Sequence, residues 1–229
     1  MGEQIPLYFL TRFSVLSFFL SSKYTIQQYA DLRPYKRQMI ASIDTFLCRR
    51  CDMGENDITL EAMTKSEYFT RYAVLMARAM YAFALCHEIG HLILEHQKKR
   101  FKSSIERELE ADYAANQIFE LLIKDEEQHK YLEMMDGLSR APLALFDIYD
   151  LVDYYKREIL DVETEGGDHP RPYMRRASLL DGFGFNDNEN SFNLYSVLSE
   201  RASSLKYYIH KHKVQMRNII LEIHSADKI

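Results

Sequence analysis

Apolar residues recur every three or four positions along much of this 229-residue chain, a spacing that predicts helices. In the clearest run, Tyr72, Leu75, Met76, Ala79, Met80, Phe83, Ala84 and His87 share one broad face. It predicts a helix from Met63 or Ser66 to about Gln97, apolar on most sides and packed in the core. Arg71 and Arg78 interrupt the run, which argues against a membrane span. A second helix is predicted from Ser104 to about Lys124, with Ser103 or Ser104 as N-cap and acidic residues in its first turn. Others fall at 125–136, 141–160, Arg171 to Leu180, and Ser191 to about Ile223. Gly166, Gly167 and Pro170 mark 161–171 as a loop, and 181–190 is a second Gly/Asn/Asp-rich connection. Upstream, Met39, Ile40, Ile43, Phe46 and Leu47 have helical spacing after Pro34, and 51–57 reads as a loop.

The fold class read from this pattern is mainly α. Only eight Gly and five Pro disfavour a many-stranded sandwich. The chain divides into an N-terminal helical or mixed segment (1–62), a central core (63–180) and a C-terminal helical segment (181–229), together expected to form one compact domain. Leu7 to Leu20 is apolar, but Arg12 breaks it and it is too short to cross a bilayer. It reads as a folded strand or helix rather than a signal peptide, because Glu3 precedes it and no small-residue cleavage site follows.

Charge narrows the partners. A net charge of −5 gives no general attraction to nucleic acid, and the basic run from Lys206 to Arg217 reads as a solvated helix face. Three cysteines cannot build a disulfide framework. Cys48 and Cys51 form one C-x-x-C with no second pair to complete a zinc site, and Cys86 reads as a small buried residue. Reduced thiols fit a cytoplasmic setting.

The chemistry lies at the end of the first long helix, in His87-Glu88-Ile89-Gly90-His91. On a helix the two histidines stand one turn apart on the same face. So placed, they can hold one zinc ion, with Glu88 in reach of a water on it. Gly90 weakens the helix, which implies a close neighbour or ligand at that point. A catalytic zinc site ordinarily takes three protein ligands. The second helix offers Glu106, Glu108, Glu110 and Asp112, and periodicity alone does not choose among them. Carboxylates four residues apart share a face, so one can bind metal while the other accepts the free N–H of a ligating imidazole. Glu108 and Asp112 fit that division. Glu106 and Glu110 read as a solvated face. His96 lies five residues beyond His91, so on a continuous helix it points into a different sector, as a surface or core-edge residue. For Tyr113 and Tyr173 core packing is the reading, with lining of a cleft as its alternative.

His87-Glu-Ile-Gly-His91 followed by Glu108-Leu-Glu-Ala-Asp112-Tyr-Ala-Ala resembles the gluzincin metallopeptidases, whose second motif is E-x-x-x-D. The E-x-E-A-D-x-x-A form is most similar to prenyl-protease and HtpX-type peptidases. It also resembles ImmA/IrrE-type and phage-exclusion Lit-type proteins. The resemblance implies His87, His91 and Glu108 as zinc ligands, Glu88 as general base and Asp112 as the partner of a ligating histidine. A third match, His169-Pro170 with Arg175 six residues after the histidine, implies that His169 stabilises the oxyanion. Arg175 would brace the ligand side. The chain departs from the membrane-bound relatives in lacking a visible membrane-spanning helix, and from ImmA-type regulators in lacking an evident helix-turn-helix. The expectation is therefore a zincin-like metallopeptidase with one zinc per chain, acting on an internal peptide bond of a protein, with a small sheet edging the cleft. The alternative is a catalytically silent zincin-fold regulator that binds a protein partner.

Overall fold

The computed structural model describes residues 40, 44, 67–96, 103–127, 138–162, 169–183 and 194–226. Five helices organise them: α1 (Glu67–Ile93), α2 (Ser104–Glu127), α3 (Ala141–Ile159), α4 (Pro172–Phe183) and α5 (Leu194–Ala226). Among the described residues there is no strand, so the expected small sheet is not found there. The predicted helix at 125–136, the C-x-x-C and the apolar N-terminal stretch lie largely or wholly outside the described residues.

The central helix is α3. Its face of Leu143, Ala144, Phe146, Ile148, Leu151, Val152, Tyr155 and Ile159 is buried, and it packs against α1, α4 and α5. Pro142 in its first turn gives up no hydrogen bond, since the first N–H groups of a helix have no partner within it. Phe83 of α1 sets its ring edge-on to Phe146 of α3 and to Phe119 of α2, with centroids 5.9 and 6.0 Å apart. This joins three helices in one apolar cluster. The buried Tyr155 hydroxyl donates to Asp44 at 2.9 Å, which anchors residue 44 to α3.

Part of the predicted solvated face on α5 is tied down. Lys206 pairs with Asp150 and Lys213 with Glu158. Arg217 donates to the carbonyl of Glu158 at 2.7 Å. The basic run therefore clamps α5 to α3.

The first two helices pack side by side and run antiparallel: Phe83 meets Phe119, His87 meets Asp112 and His91 meets Glu108. Gly90 lets them approach closely. A Cβ there would lie 2.8 Å from the carbonyl oxygen of Ala111, a backbone atom that cannot swing aside. The close neighbour expected from the sequence is thus α2 itself. On its opposite side α1 is less buried than its apolar composition predicts, with Leu85, Ile89, Leu92 and Ile93 exposed.

The end of α1 comes sooner than predicted. Glu95 adopts φ 51°. The N–H of His96 bonds the carbonyl of His91 at 3.2 Å, and that of Glu95 bonds Leu92 at 3.1 Å. This is the Schellman arrangement, which ordinarily places glycine at the left-handed position. Here a glutamate holds it, at a cost of about 1–2 kcal/mol. Helix α2 opens on Ser103, whose hydroxyl accepts the Glu106 N–H at 3.2 Å while the Glu106 carboxylate accepts the Ser103 N–H at 2.9 Å. Glu106 is thus a cap partner, more specific than the solvated face expected of it.

Replacing Gly90 with Ala is expected to lower stability by about 1–3 kcal/mol through overpacking, despite the ~1 kcal/mol helix-propensity advantage of Ala. Urea denaturation checks this. An unchanged or raised midpoint would mean that α1 and α2 can separate at no cost.

Candidate metal centre

His87 and His91 both turn toward α2, one turn apart as the motif requires. Their Nε2 atoms lie 3.0 Å apart, and each is 3.3 Å from an oxygen of Glu108. One donor atom from each of the three side chains falls within a 4.8 Å cluster. His87 and Glu108 are buried, and His91 is partly open toward a cleft of about 480 Å³. Glu88, His91, Leu92, His96, Ser104, Arg107, Glu108 and His169 line that cleft. The carboxylate of Glu88 thus reaches the same open space as the exposed edge of His91.

Asp112 supports this cluster from below. It is fully buried, and its Oδ1 lies 2.9 Å from His87 Nδ1. From α4, Arg175 grips the same carboxylate with two donors, Nε to Oδ2 at 2.7 Å and a terminal nitrogen to Oδ1 at 2.5 Å. Its guanidinium also lies over the ring of Phe146, 4.7 Å from the centroid, and a second terminal nitrogen is 3.8 Å from Glu108. Planar, two-pronged recognition of this kind is what arginine provides and lysine does not.

The donor set fits a divalent cation. When His87 gives its Nδ1–H to Asp112, the neutral ring turns the Nε2 lone pair toward His91 and Glu108. The cluster then presents lone pairs and a carboxylate to one point, which only a proton or a cation can satisfy. Two imidazole nitrogens with one carboxylate match the ligand preference of zinc.

Burial and the contacts within the cluster shift the proton affinities of its three residues in different directions. Burial disfavours the charged form of His87, but hydrogen bonds to Asp112 and Glu108 outweigh it and raise the pKa to about 9. For Glu108, burial works against the anion, yet hydrogen bonds from His87 and His169 and the charge of Arg175 bring the pKa to about 2. His91 is lowered, by burial and then by the neighbouring His87 charge. In the metal-free protein the stabilisation from protonated His87 is fully present below its unfolded pKa near 6.5. It is lost as pH rises through about 9. The stabilisation from ionised Glu108 is present above about 4.5 and lost as pH falls toward 2.

The remaining residues divide between the cleft and the surface. His169 lies at the cleft rim, 72% exposed, with Nδ1 3.2 Å from Glu108. Tyr113 and Tyr173 are both exposed, neither in the core nor lining the cleft. Tyr113 stacks on Phe183 of α4 instead. Two residues passed over in the sequence stand at the site. His96 is buried with Nδ1 2.8 Å from His91 Nδ1, and its Nε2 is 3.2 Å from Glu110. The early end of α1 brings His96 back to the site, and periodicity on a continuous helix gives no signal of that reversal. Glu110 accordingly contacts His96 rather than simply facing solvent.

Two measurements test this electrostatic arrangement. Metal uptake near pH 7.5 should release about one proton, that of His87 Nε2, and apparent affinity should rise up to tenfold per pH unit until about pH 9. Calorimetry in buffers of differing ionisation enthalpy reads the proton count; release of no proton would contradict the assignment. Truncating Asp112 to Ala should destabilise the protein by about 2–4 kcal/mol, because it leaves the largely shielded Arg175 and the buried His87 without their carboxylate. A loss under 1 kcal/mol in chemical denaturation would show the pair to be dispensable.

No curated protein and no solved structure matches this chain. A family model, Peptidase U49, matches residues 25–196, a span that contains α1 to α4, the whole histidine–carboxylate cluster and the start of α5. On that match the chain belongs to the Peptidase U49 family, a family of peptidases.

Proposed function

We propose that this protein is a zinc-dependent peptidase of the gluzincin type, which cleaves an internal peptide bond of a protein substrate. One observation carries the reading: His87, His91 and Glu108 bring two imidazole nitrogens and a carboxylate to one point, beside a cleft that also holds Glu88. His87, His91 and Glu108 would hold one zinc ion per chain. Bound there, the ion supplies Lewis acidity, polarising a peptide carbonyl and lowering the pKa of a water molecule.

The chain's own residues supply the proton traffic. Glu88 faces the cleft, takes a proton from the attacking water and returns it to the departing amine nitrogen. Asp112 keeps the proton of His87 on Nδ1, so that Nε2 stays available for the ion. Arg175 holds Asp112 in place. His169, at the rim, serves as donor to the oxygen on which negative charge develops. Among the described residues no helix is long and apolar enough to cross a membrane. Cys86 is a free, buried thiol, in keeping with a cytoplasmic site of action.

The deciding experiment compares the wild type with Glu88→Gln after metal-replete expression. Both are expected to carry one zinc per chain by elemental analysis. Glu88→Gln should lose on the order of 10²–10⁴-fold in cleavage rate, scored by mass spectrometry of a proteome incubated with each protein. Absence of zinc in the wild type would sink the metal reading. Zinc uptake with identical proteomes would favour the silent regulator that binds a partner.

A further inference from the structure

The second histidine of the motif has a support of its own. His91 presents Nε2 to the metal point, and its other nitrogen, Nδ1, lies 2.8 Å from Nδ1 of His96. The far nitrogen of His96, Nε2, lies 3.2 Å from a carboxylate oxygen of Glu110 on α2. His96 is only 4% exposed, and the two rings meet at 69° with centroids 5.0 Å apart.

Donor and acceptor roles along this row follow from its end. An ionised Glu110 only accepts, so neutral His96 must carry its hydrogen on Nε2. Its Nδ1 is then a lone pair, and the hydrogen between the two rings belongs to His91. Neutral His91 with Nδ1–H has its own lone pair on Nε2, the atom that faces His87 and Glu108. Every nitrogen in the row acquires a partner, with one hydrogen per contact.

We propose that His96, backed by Glu110, is a positioning residue that holds His91 in the Nδ1–H tautomer and presents its Nε2 to the metal ion. The proposal rests on the zinc reading above for its consequence, and on the geometry of the row for its cause. The two ligand histidines are then braced by different means. His87 leans on Asp112 and Arg175 from α2 and α4, whereas His91 leans on the chain just past its own helix. The left-handed residue Glu95 makes that possible, because it turns the backbone so that His96 returns alongside His91.

Two readouts on the full-length protein test this, neither of them activity. Long-range ¹H–¹⁵N spectra of the metal-free wild type should show His91 protonated on Nδ1 and His96 on Nε2. Zinc affinity, measured by competition with a chromogenic chelator, should fall about 10- to 100-fold in His96→Leu. His96→Gln should regain most of that loss, because its amide oxygen accepts from His91 and its N–H₂ donates toward Glu110. Circular dichroism confirms that each variant is folded; if His96→Leu is not, the wild-type tautomers and the Gln variant decide.

The opposite tautomer on His91, or a His96→Leu protein that binds zinc within twofold of wild type, overturns the proposal while leaving the zinc reading intact. A wild type that takes up no zinc, yet has the assigned tautomers, removes the metal reading and supports the row as the device that orients His91.

Discussion

A single buried carboxylate holds this site together. Asp112 is fully enclosed, and an anion there is tolerable only with charge and hydrogen bonds directed at both oxygens. Arg175 supplies the charge from α4, and His87 supplies a ring N–H from α1. Three helices with no covalent neighbourhood in common therefore meet at one side chain of α2. Arg175 is itself seated on Phe146 of α3, so the polar cluster rests directly on the apolar core. Loss of any one partner exposes the others to the full penalty of burial, which makes the geometry around His87 stiff.

Close packing of α1 against α2 is the second constraint. The donors of His87, His91 and Glu108 converge only because the two helix backbones come near enough for Gly90 to touch the Ala111 carbonyl. A side chain at position 90 would part them and spread the ligands. Glycine in a helix is ordinarily a liability of about 1 kcal/mol. Here it is the condition for a three-residue site drawn from two helices. The same approach sets Glu110 beside His96 just past the helix end, so the surroundings of both His87 and His91 depend on one helix–helix distance.

The site is open on one side and closed on the other. Glu88 and His169 face the cleft, whereas Asp112 and Arg175 lie beneath it. That polarity suits the proposed peptidase, whose reacting groups would have to meet a polypeptide while their supports stay largely shielded. A low-dielectric floor strengthens the contacts that orient His87, and the open face leaves Glu88 free to transfer protons in the proposed reaction. Membership in a peptidase family and a metal-ready cluster beside such a cleft point the same way.

Much of this was legible in the residues alone. Helical spacing located the five helices of the described residues to within a few residues, because burial of one face leaves a period in the order of apolar positions. His87, Glu88 and His91 fall on one turn of helix, since i and i+4 share a face whatever the fold, whereas the same spacing fits Glu106 with Glu110 as well as Glu108 with Asp112, and the resemblance to the E-x-x-x-D motif pointed to the second pair. Gly90 likewise announced a close neighbour. Tertiary structure alone decided which neighbour it was, that Arg175 clamps Asp112, and that His169 sits at the rim. Long-range pairings of this kind leave no local period to read. Above all it decided the place of His96. By sequence spacing that residue points away from His91, and only a left-handed turn at Glu95, a backbone angle that a glutamate rarely adopts and nothing in the local pattern announces, carries it back.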